Sequence, residues 1–305
     1  MTALLLSIDL SKDFLLQNLV NAISLGSLYA LIALGMALIF GIMRLVNFAH
    51  GDLLMVGGYA LVLLAGPPWP VLLLATLAIC ALFALGMERI AFRPVRNASA
   101  STLLVTSFAV SYFLENGAQL IFSPLPKTTN ISNTLIQSWQ VGAIYIAKLN
   151  ALTVALTLVL LALLGLFLGR TTIGVQMRAA AEDFGMARLL GVRANTVIAM
   201  SFAIGGLLAG VASFLLVAQT GAVFPTMGLA PVLVGFVAIV LGGMGSLQGA
   251  VVGGFLLGLI SVTLQAYLPL TLRSYRDAFT YGIVLLVILL RPQGLIVARR
   301  ERQRV

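Results

Sequence analysis

Charged side chains are scarce in this sequence. Asp, Glu, Lys and Arg make up 9% of its 305 residues, whereas hydrophobic residues make up 61%. A soluble globular domain carries about 25% charged residues, so this chain has too few to cover a surface in water. Several apolar runs reach the roughly 18 residues that can cross a hydrocarbon core. The sequence therefore predicts an all-α polytopic membrane protein, with a single domain over 1–305 and about eight or nine transmembrane helices.

Residues that bind metals or phosphate are nearly absent as well. The chain has one cysteine, Cys80, and one histidine, His50, which excludes a disulfide framework and disfavours a metal site. A P-loop needs a lysine directly after a glycine, and none of the lysines, Lys12, Lys127 and Lys148, has that neighbour. We expect no metal, no cofactor and no ATP hydrolysis by such a loop.

The net charge of +9 is unevenly placed along the chain. Basic residues concentrate in three segments, 88–96, 169–193 and 299–304. Lys and Arg mark cytoplasmic loops, so the sequence predicts a cytoplasmic loop at 169–194 and a basic cytoplasmic tail at 297–305. The polar segment 123–148 carries only Lys127 and Lys148 and is predicted to face the other side. No soluble basic face is left for nucleic acid.

Two stretches interrupt the apolar pattern. The first, "RLVNFAHGD" (44–52), gathers polar residues between two apolar runs. The second, "LGGMGSLQGA" (241–250), is rich in glycine and lies inside the run 230–266, which as one helix would be roughly 55 Å long. That length predicts two short or re-entrant helices meeting at a turn. Gly-Gly-aromatic triplets in 50–64 and 248–260 also suggest an internal repeat.

The polar residues of the first stretch allow two interpretations. Asn47 or Asp52 can cap the helix that follows, and Arg44 can complement a helix C-terminus. Alternatively, the break lines a solute pathway, because broken helices occur at membrane depth only beside protein or a watery cavity. Catalysis is disfavoured, since His50 and Asp52 are two residues apart and point to nearly opposite faces of a helix. We predict no catalytic residues.

The Ala-rich second half of the cytoplasmic loop predicts one short helix, supported by an i,i+4 pair of Arg178 and Glu182. Phe184, Ala187 and Gly191 fall along one face of it, and Gly191 is placed to be its C-cap. An exposed amphipathic helix with small residues suits docking into a groove of a partner protein. A surface helix against lipid headgroups is the alternative.

Four motifs together resemble one family. They are "GSLYALIALGMALIFGIMRLVNFAHGDLLMVGGYA", "RAAAEDFGMARLLGV", "AIVLGGMGSLQGAVVGGFLLG" and "RPQGL". In this order, from about Gly26 to Leu295, they resemble the signatures of the branched-chain amino-acid ABC importer permeases, in particular the shorter of that family's two paralogous permeases. "NFAHGD" and "VLGGMGS" occurring together make the resemblance specific.

The resemblance implies a multi-pass permease subunit of a bacterial inner membrane, with segment 123–148 in the periplasm. It implies a translocation pathway for leucine, isoleucine, valine or a similar small-molecule amino acid. Its partners would be a second homologous permease, two cytoplasmic ATP-binding subunits and a periplasmic substrate-binding protein, all working in membrane lipid. Other members of the family take amides, urea or different amino acids.

The resemblance also assigns residues. The pathway residues would be those of the two breaks, namely Asn47, Phe48, His50, Gly51, Asp52, Gly242, Gly243, Gly245 and Ser246. The ATPase-coupling residues would be Arg178, Glu182, Asp183, Phe184, Arg188 and Gly191. The loop reads Ala-Ala-Glu-Asp-Phe-Gly and departs from the Glu-Ala-Ala-x-x-x-Gly pattern of other importers, so the resemblance supports the role of the loop more than that of any one residue.

Three other functions share some of these features. An ion-coupled secondary carrier would also have apolar spans and broken helices, but it would work without an ATPase. A channel-like facilitator would need neither energy source. An intramembrane hydrolase would need a partner such as Ser246 beside His50, and nothing in the sequence brings the two together. The charged loop 169–194 favours the importer over all three.

Overall fold

Apolar helices form most of the computed structural model, which describes residues 12–131, 135, 137–142 and 144–296. The predicted basic tail, 297–305, lies outside the described residues. In chain order the helices are α1 (Lys12–Met43), α2 (His50–Leu63), α3 (Trp69–Met87), α4 (Ala100–Phe122), α5 (Lys148–Arg170), α6 (Thr172–Glu182), α7 (Phe184–Leu189), α8 (Ala194–Thr220), α9 (Leu229–Gly242), α10 (Leu247–Tyr267) and α11 (Arg276–Leu290). Helix α3 continues through a π-helical turn, Glu88–Phe92, and a short helix, Arg93–Val95.

Five of these helices are long and apolar enough to cross a membrane: α1, α3 with its extension, α5, α8 and α10. Helices α2 and α9 are apolar but have 14 residues each, or about 21 Å, which is less than the hydrocarbon thickness of about 30 Å. Helix α2 directly follows the first predicted break, and helix α9 directly precedes the turn of the second. The prediction of an all-α polytopic membrane protein with interrupted helices is confirmed.

The helices form two groups of three, and the two groups contact each other through α1 and α8. Helix α1 contacts α10, α9 and α8, and α8 likewise contacts α3, α2 and α1. Helix α2 packs on α3 as α9 packs on α10, so α9 occupies the place equivalent to α2. The sequence comparison of 50–64 with 248–260 pairs α2 with α10 instead, and the internal repeat stays a prediction. The glycines shared by the two segments lie where helices pack closely.

Small residues let α1 and α10 approach at backbone distance. Gly26 and Ala30 of α1 face Gly258 and Gly254 of α10, and a Cβ added at Gly254 would lie 2.5 Å from the Cα of Ala30. Helix association in membranes depends on such close packing, because lipid tails are as apolar as the side chains. Helix α1, buried along most of its length, is therefore the centre of the bundle.

Short strands lie in the polar segment 123–148 and directly after α8. Strand β1 (Lys127–Thr128) pairs antiparallel with β4 (Ala222–Val223), and β2 (Ser138–Val141) pairs antiparallel with β3 (Ile144–Ala147). The side chain of Gln17 donates to the carbonyl oxygen of Tyr145 and accepts from its N–H at 3.0 and 2.9 Å. The hairpin is thereby tied to the start of α1.

Candidate functional site

The first break separates α1 from α2 at residues 44–49. Its turn is closed by the backbone alone, since the N–H groups of His50, Gly51 and Asp52 each donate to the carbonyl three residues earlier at 3.2 Å. The N-cap position of α2 is Ala49, and no side chain caps this end. The expectation that Asn47 or Asp52 caps α2 is therefore wrong. A tight 3₁₀-type turn satisfies the free donors instead.

Three polar side chains of this break point into the protein. Asn47, His50 and Asp52 are 2%, 0% and 2% exposed. Within the described residues, both amide atoms of Asn47, both ring nitrogens of His50 and Oδ2 of Asp52 have no hydrogen-bond partner. A buried polar group without a partner costs about 1–3 kcal/mol. Stability alone therefore does not explain why polar side chains stand here.

His50 and Asp52 face different helices. The imidazole of His50 packs against α1 and α8, where Gly35 and Gly205 leave room for it. The carboxyl group of Asp52 instead faces Ser111 and Glu115 of α4. The divergence expected from their spacing is confirmed, and the two do not form an acid–base pair.

The close packing of His50 against Gly35 predicts that substitutions at the two positions have non-additive effects on stability. A Cβ on residue 35 would lie 2.8 Å from Nε2 of His50, so Gly35→Ala is expected to lower the stability of the purified protein by about 1–3 kcal/mol. In a His50→Ala background the same change should cost less by at least about 0.5 kcal/mol, because the colliding ring is gone. Thermal unfolding in detergent of the four proteins measures this. Additive effects would contradict the contact.

His50 itself is expected to be replaceable. Because no second catalytic group stands beside it among the described residues, His50→Gln should leave assembly and part of the transport intact. Uptake by the reconstituted variant measures the outcome. Complete loss of transport in a normally assembled protein would contradict the expectation that His50 tunes or lines the break and does no chemistry.

Aromatic stacking holds α4 against the first break. The ring of Phe48 stacks on Phe108 with centroids 4.3 Å apart, and Tyr59 of α2 stacks on Phe122 at 4.1 Å. Asp52 lies between these two stacks along α2. On the opposite side, Gly51 lies so close to the carbonyl oxygen of Gly228 that an added Cβ would be 2.6 Å from it. The first turn of α2 is thus fixed by α4 and by the start of α9.

The second break, residues 243–246, joins α9 to α10. Gly243 and Gly245 have φ angles of 112° and 90°, which other residues rarely adopt. The hydroxyl of Ser246 accepts from the N–H of Gly249 at 3.0 Å and so caps α10. The prediction of two helices meeting at a glycine-rich turn is confirmed. Ser246 has a capping role at the second break, whereas His50 packs between α1 and α8.

The segment after α11 closes this break. The N–H groups of Leu295 and Ile296 donate to the carbonyl oxygens of Leu241 and Gly242, at 3.0 and 2.9 Å. These carbonyls end α9 and would otherwise lack partners. Sequence reasoning noted "RPQGL" as a motif but did not place it at the break, because nothing local in the sequence signals a contact between segments so far apart.

The two breaks lie side by side. A Cβ added at Gly245 would be 3.3 Å from Nη1 of Arg44, and Asn47 and Met244 line one cavity of about 10 Å³. That volume holds at most a single water. The structure therefore brings the predicted pathway residues of both breaks into one region but leaves no room beside Asn47 for an amino acid.

The segment 169–194, predicted to be a cytoplasmic loop, contains two helices rather than the predicted one. Asp183 is extended, at φ −145° and ψ 101°, and its side chain accepts from the N–H of Met186 to cap α7. The alanine-rich composition favours helix on both sides, but this cap starts a new one. Gly191, at φ 88°, ends α7, and the N–H of Val192 donates to the carbonyl of Ala187 at 3.0 Å. The C-cap is Leu190, so the predicted C-cap at Gly191 is wrong by one residue, and Gly191 is the left-handed residue that follows the cap.

The helix face predicted to dock on a partner, formed by Phe184, Ala187 and Gly191, points partly into the protein. Ala187 is 3% exposed, and Phe184 packs against the hydrophobic core. The exposed apolar side of α7 is formed instead by Met186, Leu189 and Leu190, which are 56%, 83% and 79% exposed. The other predicted coupling residues, Arg178, Glu182, Asp183, Arg188 and Gly191, are exposed. Leucines at this spacing were visible in the sequence but could not be oriented without knowing that α7 is a separate helix.

Comparison with known proteins gives the family. The model of the family described as "Branched-chain amino acid transport system / permease component" matches residues 18–289. The chain is 36% identical to the high-affinity branched-chain amino acid transport system permease protein BraD of Pseudomonas aeruginosa, over 95% of this chain and 98% of that protein. It is 34% identical to LivH of Escherichia coli K12, which carries the same description, over 97% of this chain and 100% of that protein.

A solved structure, PsaBC from Streptococcus pneumoniae in complex with Fab, overlays with a TM-score of 0.44 and 13% identity, covering 95% of this chain and 94% of that chain. This similarity is too low to carry an argument. The family match and the two relatives confirm the resemblance identified from the four motifs. The chain therefore belongs to the permease-component family of branched-chain amino-acid transport systems and is a multi-pass permease of the bacterial inner membrane.

Proposed function

We propose that this chain forms half of the membrane pathway of an ABC importer for leucine, isoleucine, valine or a closely related amino acid. The observation that carries the proposal is similarity over nearly the whole chain to BraD and LivH, both described as permeases of high-affinity branched-chain amino-acid transport systems. The pathway residues would be those of the two breaks. The loop 169–194 would contact separate ATP-binding subunits, and their ATP hydrolysis would drive transport.

ATP hydrolysis belongs to separate subunits in this proposal, and the permease has no catalytic role. The sequence has no P-loop, and the exposed side of α7 offers Met186, Leu189 and Leu190 beside the charged residues Glu182 and Arg188. Three large apolar side chains exposed on one short helix at the end of a bundle are suited to a groove in another protein. Two ATP-binding subunits, one for each permease, would each take such a helix.

A second permease would complete the pathway. Within this chain the cavity beside Asn47 is too small for a solute, whereas α4 has a long exposed side. An open groove of about 590 Å³ runs along it, lined by Ser101, Thr102, Val105, Thr106, Ala109, Val110 and Phe113. The lining is mostly apolar, and the hydroxyl of Thr106 donates to the carbonyl oxygen of Thr102 at 2.8 Å, so the groove suits an apolar helix of another protein. The homologous subunit would cover this side, and a periplasmic binding protein would deliver the amino acid.

The test is affinity purification of the protein from its native membrane, with mass spectrometry of what remains bound. We expect a P-loop ATPase and a second permease. Leu189→Asp should release the ATPase, because the exposed leucine becomes charged at the docking surface. Leu270→Asp is the matched control, since Leu270 is also exposed, at 78%, but lies after the far end of α10. Retention of the ATPase by Leu189→Asp would contradict docking through α7.

Transport itself separates the importer from the other functions. In proteoliposomes holding the assembled complex, uptake of labelled leucine should need ATP and the binding protein. Uptake by the chain alone under an ion gradient would indicate a secondary carrier, and passive flux without either energy source would indicate a facilitator.

A further inference from the structure

Arg44 ends α1 in a conformation that is unusual for arginine. Its φ is 53°, in the left-handed region, and its N–H donates to the carbonyl of Phe40 at 2.8 Å. Helices commonly end in this conformation, but usually with glycine, because a Cβ is strained there. A side chain at this position therefore has a role that glycine could not fill.

The guanidinium group of Arg44 lies between the cytoplasmic loop and the second break. Nη2 donates to the carbonyl oxygen of Ala181 at 3.1 Å. This oxygen lies in the last turn of α6, where carbonyls lack helical partners and a cation is favoured. Nη1 is directed at the glycine-rich turn and lies 3.3 Å from the position of an added Cβ at Gly245. One side chain thus contacts the end of α6 and the turn between α9 and α10.

The same group has room to move on its remaining side. Arg44 lines a cavity of about 270 Å³ together with Arg96, Phe184 and Arg188, and it is exposed there. Phe184 begins α7, so the cavity lies directly behind the helix that carries the exposed leucines. Helices α6 and α7 also pack on the core through Met177, Ala180 and Ala187, so a displacement of the two helices would change the surroundings of Arg44 together with these contacts.

We propose that Arg44 is the positioning residue that links the loop helices α6 and α7 to both helix breaks. Its side chain follows the C-terminal end of α6 and holds the turn at Gly245, while its backbone begins the segment that leads to Asn47 and His50. This inference rests on the proposed coupling role of the loop. A shift of α6 is transmitted through one arginine to the ends of α1, α9 and α10 at the same time.

Arg44→Gly is the decisive variant, because glycine accepts the left-handed backbone and removes only the side chain. The complete complex is reconstituted in proteoliposomes, and amino-acid uptake and ATP hydrolysis are measured in parallel. We expect an unchanged or higher melting temperature, ATP hydrolysis within about twofold of the unsubstituted complex, and uptake per ATP lowered about tenfold. Arg44→Lys keeps the charge and one donor and should recover part of the loss.

Arg89→Gln is the matched control, since Arg89 is likewise basic and exposed and lies in the π-helical turn after α3. An unchanged ratio of uptake to ATP hydrolysis in Arg44→Gly would overturn the proposal, as would an equal loss in Arg89→Gln. A fall in melting temperature with both activities reduced together would make Arg44 a purely structural contact. Absence of ATP-driven uptake in the unsubstituted complex would instead overturn the proposed importer function.

Discussion

Gly258→Ala is expected to prevent the bundle from forming its normal core. The added methyl group would approach the Cα and N atoms of Gly26 to well inside the sum of the van der Waals radii, and backbone atoms cannot turn aside as a flexible side chain can. Overpacking of a core costs about 1–3 kcal/mol and sometimes more. Here the contact joins α1, the buried centre of the protein, to α10. Yield of monodisperse protein in detergent and its melting temperature measure the effect.

The control for this substitution lies in α5. Gly165 has open space around the position of a Cβ, so Gly165→Ala introduces the same methyl group without a collision. Alanine is the better helix former by about 1 kcal/mol, and this variant should be as stable as the unsubstituted protein or slightly more stable. If both variants lose the same stability, the close approach of α1 and α10 is not what fixes their packing.

Gly243→Ala is expected to open the second break. At φ 112° the backbone is strained for any residue with a Cβ, and the methyl group would also collide with the carbonyl oxygen of Ile296. Backbone strain of this kind costs about 1–3 kcal/mol, and release of the segment after α11 would lose two hydrogen bonds at about 1 kcal/mol each. Hydrogen exchange at Leu295 and Ile296 should rise sharply, and transport should fall.

Gly245→Ala provides the comparison for that result. Its φ of 90° imposes a similar strain, but the nearest atom to the added Cβ is Nη1 of Arg44 at 3.3 Å, at the far end of a flexible side chain. Exchange at Leu295 and Ile296 should therefore stay near its original level in this variant. Equal exchange in the two variants would mean that strain in the turn, rather than the contact with Ile296, controls the segment.

The sequence predicted those features that depend on residues close together in the chain. Glycines 242, 243, 245 and 249 showed where a run too long for one helix must break, and the polar residues after Met43 marked the first break. Composition and hydropathy predicted the membrane class, because few charged residues leave no other solvent for the surface. The four motifs predicted the family without any structural information.

The remaining features depend on contacts that are distant in sequence. Asp183 was assigned to the interior of a helix, since alanine-rich neighbours favour one, yet its side chain caps α7 and turns a different face outward. The docking of Leu295 onto the end of α9 and the contact of Arg44 with Ala181 join segments that no local periodicity connects. Nor does a hydrophobic pattern say that His50 is enclosed by glycines of α1 and α8.

The contact between the segment after α11 and the end of α9 has a consequence for biosynthesis. Leu241 and Gly242 are translated before Leu295 and Ile296, the residues whose N–H groups pair with their carbonyl oxygens. During that interval the end of α9 must be hydrated or held by another protein, because an unpaired carbonyl is costly in lipid. A chain that ends before Leu295 would contain every helix and still leave the end of α9 without these two hydrogen bonds, so truncation there is expected to destabilise the second break.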